Sequence, residues 1–418
     1  MQRNLSILLM LILALISLVA LPATAATNTS SQCTKQAWVG TWMASPIQTV
    51  AGFADLTYRT TFNTHISGDM VRVRLSNVFG QQPLTIDDVY VGRQLELAAV
   101  VPGTNKPVTF NGNRNVTIPA GAELWSDPVA LSVPALSRVS VSIYAAAATG
   151  RVTAHSSLYG ESDVGYLSVS GNHASEEDGS SFIKPSTDWM IVNGLDVLTD
   201  GPAGTVVALG DSITDGFFST QNQDKAWPDF LARRLINAGI PISVLNAGIT
   251  GNMLVLNDPK NRGPRGLDRL ERDVFSQTGV TDLIVLEGIN DLAAGAAVEQ
   301  LIMGYRQVIE LAHKHGIRVH GGLLTPSGDE TRPSVFRTHS TPEVQEKRHQ
   351  INEWIKNSGE FDSVLDFESA VADPLFPEWW KPGTSYDNLH GNDLGYQLMA
   401  EAVPLTSFAG PRCLNISR

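Results

Sequence analysis

The sequence predicts an all-β domain, a sandwich or jelly roll, followed by an α/β domain whose parallel sheet is covered by helices on both faces. Three observations carry this. Period-two alternation of apolar residues fills the first half. From Gly204 onward, short apolar runs alternate with helical patterns. In that second half the polar clusters come just after the apolar runs, where the carboxyl ends of parallel strands would lie.

In the first half, residues 70–75 read MVRVRL, alternating apolar and charged, the mark of a strand with one wet face. Similar runs cover 85–91, 115–118 and 138–144, separated by turn residues at Ser67-Gly68-Asp69, Pro102-Gly103, Asn111-Gly112 and Pro119-Ala120-Gly121. No long amphipathic helix is expected there. His65 and His155 read as structural histidines. Trp38, Trp42 and Trp125 read as packing residues, with stacking on sugar rings as the functional alternative.

The second half reads strand at 205–209, helix at 227–238, strand at 242–246, helix at 266–275 with its Asp, Arg and Glu residues on a wet face, and strand at 282–287. A helix at 296–315, a strand at 317–324, a helix at 342–357, a strand at 364–367 and a last helix at 393–403 follow. With right-handed crossovers these strands give a three-layer α/β/α sandwich. The expected boundaries are 1–25 for a leader, 33–196 for the β domain and 197–412 for the α/β domain.

The chain has 418 residues, and its formal net charge of -12 argues against nucleic acid as a partner, since phosphate neutralisation needs a basic face. Residues 1–25 carry Arg3, an apolar core over 5–21 and Ala23-Thr24-Ala25. This reads as a secretory signal, a membrane anchor being the alternative, and implies no stable membrane insertion after cleavage. The only cysteines, Cys33 and Cys413, sit near the two ends of the mature chain. In an exported protein they are expected to pair as a disulfide, with two unpaired thiols as the alternative. Sequons begin at Asn28, Asn115 and Asn415 and matter only in a eukaryotic secretory pathway.

Four loops would converge on one sheet edge. The first strand delivers Gly210-Asp211-Ser212 and the second delivers 246–252, NAGITGN. The third delivers Glu287-Gly288-Ile289-Asn290-Asp291, and the loop after the fifth delivers Asp387-Asn388-Leu389-His390. A serine hydroxyl needs a base to become a nucleophile, and His390 is the candidate. Asp387, three residues earlier, can accept the Nδ1 proton and fix the tautomer. The backbone N–H groups of Ser212 and Gly251 and the side-chain amide of Asn290 can receive a developing oxyanion. Asp211 and Asp291 read as supports that bond loop amides. Asp291 as the triad acid is the weaker alternative.

These four blocks, in this order and spacing over roughly 205–404, resemble those of the GDSL, or SGNH, hydrolase superfamily, with Ile213 where the family name has leucine. The resemblance implies a flavodoxin-like catalytic domain and a serine esterase needing no cofactor. It implies Ser212, Asp387 and His390 as triad, and Ser212, Gly251 and Asn290 as oxyanion hole. Less specifically, WMASP at 42–46 and RLSNVFG at 74–80 resemble the β domain of some secreted members.

No G-x-S-x-G elbow surrounds Ser212, since position 214 is Thr. His313, His315 and His320 lack metal-protease spacing and read as a cationic helix end, so no metal is expected. The loop 325–341 and Trp379-Trp380 are candidate pocket walls, or ordinary packing. The expected substrate is a small carboxylic ester, such as acetyl groups on a polysaccharide. The rivals are a lipase or lysophospholipase on longer chains, a transesterase, and a carbohydrate-binding protein with a dispensable hydrolase domain.

Overall fold

The structure is a computed structural model that describes residues 36–156, 164–220, 222–258, 260, 262–408 and 410–413. The expected leader and Cys33 lie outside the described residues, as do the sequons at Asn28 and Asn415.

The first part is all β. One antiparallel sheet runs in the order Ala37–Met43, Val192–Thr199, Gly68–Ser76, Glu123–Trp125, with Val129–Val133 also paired to Gly68–Ser76. A second orders Phe182–Ser186, Gly165–Ser170, Leu56–Thr64, Ser137–Ala145 and Asp88–Glu96. Val71, Val73 and Leu75 from one sheet and Val139, Val141 and Ile143 from the other are fully buried in one apolar core. The strand Val192–Thr199 carries this part across the expected 196/197 boundary.

Two expectations are corrected here. The run 85–91 is two strands, Leu84–Ile86 and Asp88–Glu96, in different sheets, broken at Asp87, whose carboxylate accepts from the Ala146 amide at 2.8 Å. The charged face of Gly68–Ser76 is not wet. Arg72 donates to Asp196 at 2.8 Å and to Thr278 at 3.2 Å, and buried Arg74 donates to Gln277 at 3.1 Å. That face packs against the α/β part, so the alternation that marks a solvated strand marks an internal polar seam here. Trp38 and Trp125 stack on Arg72 across the same seam, and Trp42 stacks on Phe62 with centroids 3.9 Å apart. Each of the three indoles thus has a face covered by a neighbouring side chain, in line with the packing reading.

The α/β part holds an all-parallel five-stranded sheet in the order Ile242–Gly248, Gly204–Gly210, Val280–Leu286, Arg318–Gly322, Ser363–Leu365. Numbered along the chain this is 2-1-3-4-5, the flavodoxin-like order, whose ligand crevice lies outside the carboxyl ends of strands one and three. Gly204–Gly210 is buried throughout, because helices or the β part cover both faces.

The helices Trp227–Asn237, Val298–Lys314, Pro342–Asn357 and Asp393–Glu401 stand within a few residues of expectation. The segment 266–275 does not. It is a 3-10 turn, Gly266–Arg269, followed by a π turn, Glu271–Phe275. Its charged residues divide: Asp268 and Glu271 are exposed, as expected, whereas Arg269 and Asp273 are buried. The Arg269 guanidinium donates to the carbonyls of Ala247 at 2.6 Å and Gly210 at 3.0 Å, and to Asp273 at 3.2 Å. Caps on two strand ends replace the solvent that an amphipathic reading assumes.

Candidate active site

The site is assembled where strands one, two and three of the parallel sheet end. Gly204–Gly210 runs straight into the one-turn helix Ser212–Asp215. Asp211 caps that turn by accepting the Ile213 amide at 2.9 Å. Burial pushes its carboxyl up to about 7.

Ser212, His390 and Asp387 meet, although His390 is 178 residues from Ser212. Ser212 Oγ lies 2.8 Å from His390 Nε2, and His390 Nδ1 lies 2.7 Å from Asp387 Oδ2. Asp387 Oδ1 accepts the backbone amides of Leu389 and His390, each at 2.9 Å. The loop carrying the pair turns at Asn388, which holds a left-handed φ of 59°. Burial pushes the Asp387 carboxyl up, but the His390 bond and its charge outweigh this and hold it below the usual range. Asp387 therefore stays an anion, able to orient the ring and to stabilise an imidazolium.

Gly251 and Asn290 follow the carboxyl ends of strands two and three. Gly251 has φ 77°, a backbone conformation natural to glycine, and the Arg262 guanidinium packs where a Cβ would sit. Asn290 sits in the short helix Ile289–Ala293 rather than in a loop. Its Nδ2 donates to the Asn252 carbonyl at 3.0 Å, and its Oδ1 faces His339 Nε2 at 3.0 Å. One Nδ2 hydrogen is left for the site. Asp291 is turned away from His390. Its carboxylate accepts the amides of Leu254, Val255 and Leu256 at 2.7, 2.9 and 3.0 Å, fixing the chain just after Gly251. That is a support, and it leaves the His390 partner to Asp387.

Three aromatic rings close on His390. Phe217, Phe218 and Phe336 have centroids 4.6, 5.9 and 5.6 Å from it, all edge to face. Phe336 and His339 come from the loop 325–341, so that loop does form part of the wall. Trp380 does not: it is buried, donating to the Pro326 carbonyl at 2.8 Å. Trp379 stacks on Phe376.

His313 and His315 stand at the end of the helix Val298–Lys314 and His320 lies in the next strand, as expected, each with its own partner. His313 bonds Asp362, His315 stacks on Phe275, and His320 is buried between Asp282 and Ser363. Among the described residues, no group of three His, Cys, Asp or Glu side chains is arranged to hold a metal ion.

Residues 208–398 match the model of the GDSL-like Lipase/Acylhydrolase family. This part of the chain belongs to that GDSL/SGNH family of hydrolases. No curated protein matches the chain. Among solved structures, a G-D-S-L family protein from Desulfitobacterium hafniense DCB-2 is 22% identical, covering 47% of this chain and 96% of its own, with a TM-score of 0.36. A carbohydrate acetylesterase from Sinorhizobium meliloti is 14% identical over 48% and 95%, with a TM-score of 0.40. The aryl esterase of M. smegmatis is 16% identical over 48% and 96%, also at 0.40.

Sequence reasoning missed Arg269, His339, Phe217 and Phe218 in the GDSL/SGNH domain. Phe217-Phe218 follows the serine turn closely enough to have been read as a wall. His339 carried no such signal, because its partner is 49 positions away.

Proposed function

We propose that this chain is an exported serine esterase acting on carboxylic esters. The observation that carries the reading is the continuous path from Ser212 Oγ through His390 to Asp387, with both links under 3 Å. Ser212 attacks the ester carbonyl carbon as His390 Nε2 takes its proton. The tetrahedral oxyanion is received by the backbone N–H of Ser212, the backbone N–H of Gly251 and Asn290 Nδ2. His390 returns the proton to the leaving alcohol. Water, deprotonated by His390, then attacks the acyl-enzyme and releases the acid and the free serine. The mechanism needs no cofactor and no metal.

The substrate is a small acyl ester, an acetyl group on a polysaccharide being the leading case. The crowding of Phe217, Phe218 and Phe336 around His390 supports a short acyl group. Export, and with it a Cys33–Cys413 disulfide, rests on the apolar leader pattern of residues 1–25. Among the described residues no helix is long and apolar enough to cross a membrane.

The test is hydrolysis of p-nitrophenyl esters from acetyl to palmitoyl by the wild type and Ser212→Ala. A short-chain optimum lost in the variant supports the reading. A long-chain optimum moves it to lipase. Activity that survives Ser212→Ala removes the nucleophile. Glycan binding by the full chain that is unchanged in Ser212→Ala, with no hydrolysis in either, would favour a binding protein.

A further inference from the structure

His155 carries the all-β part to the turn that bears Ser212. His155, at the end of the strand Arg151–Ser156, is buried in the cleft between the two parts. Its Nδ1 lies 2.8 Å from the Ser45 carbonyl oxygen, an acceptor only, so Nδ1 carries a hydrogen. Its Nε2 lies 3.2 Å from Asp215 Oδ1. A neutral ring would turn a lone pair toward that carboxylate; an imidazolium donates to both partners. Burial opposes the charge, but the Asp215 carboxylate and the Ser45 bond outweigh it and hold the imidazole above its usual value. Trp189 closes over the ring, edge to face at 5.5 Å.

Asp215 is the last residue of the one-turn helix that begins at Ser212. Its other oxygen, Oδ2, accepts the Thr250 amide at 2.9 Å and the Thr250 hydroxyl at 2.7 Å. Thr250 precedes Gly251. One carboxylate thus ties three things together: the β part through His155, the turn that carries Ser212, and the loop that presents the Gly251 amide. The seam residues Arg72 and Arg74 join the two parts but touch neither the serine turn nor this loop.

We propose that His155 is a positioning residue for ester hydrolysis: by fixing the Asp215 carboxylate it sets the Thr250-Gly251 peptide that completes the oxyanion hole. The β part is then a component of the hydrolase, and the proposal deepens the serine esterase reading on which it rests. Without the N–H donor, Asp215 can rotate away from Thr250, and the Gly251 amide loses its aim. Misplacement of a donor by about 1 Å costs on the order of 100-fold in rate, with little effect on ground-state binding.

The test compares full-length wild type, His155→Phe, His155→Gln and Thr250→Val. Phe keeps a ring beside Trp189 and removes both N–H groups, whereas Gln keeps a donor toward Asp215. Two readouts are taken: amide hydrogen exchange of the segment around Thr250 and Gly251, and kcat and KM on p-nitrophenyl acetate. We expect faster exchange in that segment in the Phe and Val variants, with kcat lowered about 10–100-fold and KM within about twofold. His155→Gln should recover most of both. Unchanged exchange in His155→Phe overturns the proposal whatever the activity. So does equal loss in Phe and Gln, which would make His155 a packing residue. If His155→Phe does not fold, Thr250→Val decides: wild-type exchange and kcat there overturn it. A wild type without Ser212-dependent hydrolysis but with the expected exchange pattern would sink the esterase reading and leave the positioning contact standing.

Discussion

His339 Nε2 stands 3.0 Å from Asn290 Oδ1, while Asn290 Nδ2 bonds the Asn252 carbonyl at 3.0 Å. With Nδ2 bonded to the Asn252 carbonyl, a flip of the amide would set Oδ1 against that carbonyl oxygen. Burial lowers the imidazole to about 4, so His339 is neutral at ordinary pH, and its single N–H is shared between two acceptors, the Phe336 carbonyl oxygen 3.1 Å from Nδ1 and Asn290 Oδ1 at Nε2. Asn290→Ala should lower kcat about 100–1000-fold with a small change in KM. His339→Phe should give a smaller loss of the same kind. Steady-state kinetics on one short-chain ester checks both, and a pure KM effect would count against the oxyanion role.

The same histidine predicts a pH effect on stability. Its folded value lies below its unfolded value of about 6.5. The unfolded chain therefore binds the proton first, and the His339 contribution is complete above pH ~6.5 and is lost as pH falls toward about 4. Thermal unfolding of wild type and His339→Phe between pH 4 and 8 should show the difference in Tm changing across that window. Parallel curves would mean that the ring titrates alike in both states.

The parallel sheet and the four convergent loops were legible because each strand is a short apolar run ended by a polar cluster. That pattern is local. The residues that escaped act at long range or in disguise. Arg72, Arg74, Arg269 and Asp273 carry charge, and charge reads as solvent until its partner is known. Their partners, Asp196, Gln277 and the carbonyls of Gly210 and Ala247, lie on other elements. His155 read as a structural histidine because nothing in its strand points to Asp215, which belongs to the other part of the chain.

The triad should behave as a unit. Asp387→Asn keeps the shape but favours the wrong His390 tautomer, and should lower kcat about 10⁴-fold. Ser212→Ala should cost more, and the double variant should be no worse than Ser212→Ala alone. Additive losses would mean that Asp387 acts outside the serine pathway. Retained activity in Asp387→Asn would return the acid role to another carboxylate.

Glu287 is buried near Arg269, whose Nη2 lies 3.6 Å from its carboxylate, and burial pushes its carboxyl up to about 8. The folded state holds a proton that the unfolded state releases near its ordinary value. Stability contributed by this group is therefore present at acid pH and declines as pH rises toward about 8. Glu287→Gln keeps the volume and cannot ionise. It should flatten that decline, so the variant gains on the wild type at pH 9 relative to pH 5. Denaturant unfolding at the two values measures this, and an unchanged difference would mean that Glu287 is ionised in the fold throughout.

Asp291 links stability to the site through three backbone donors. Both carboxylate oxygens are occupied by the amides of Leu254, Val255 and Leu256, and the residue is fully buried. Asp291→Asn replaces one acceptor oxygen with an NH2 group, which sets donor against donor at one end of the cradle. An unsatisfied buried amide costs about 1–3 kcal/mol, so the variant should unfold measurably earlier. The loop it releases leads directly from Gly251, so kcat should fall as well, with Ser212 still able to react with a fluorophosphonate probe. Asp291→Ala should be worse in stability because every acceptor is gone. If both variants kept the wild-type Tm, the loop amides would have found other partners, and the support assigned to Asp291 would be lost.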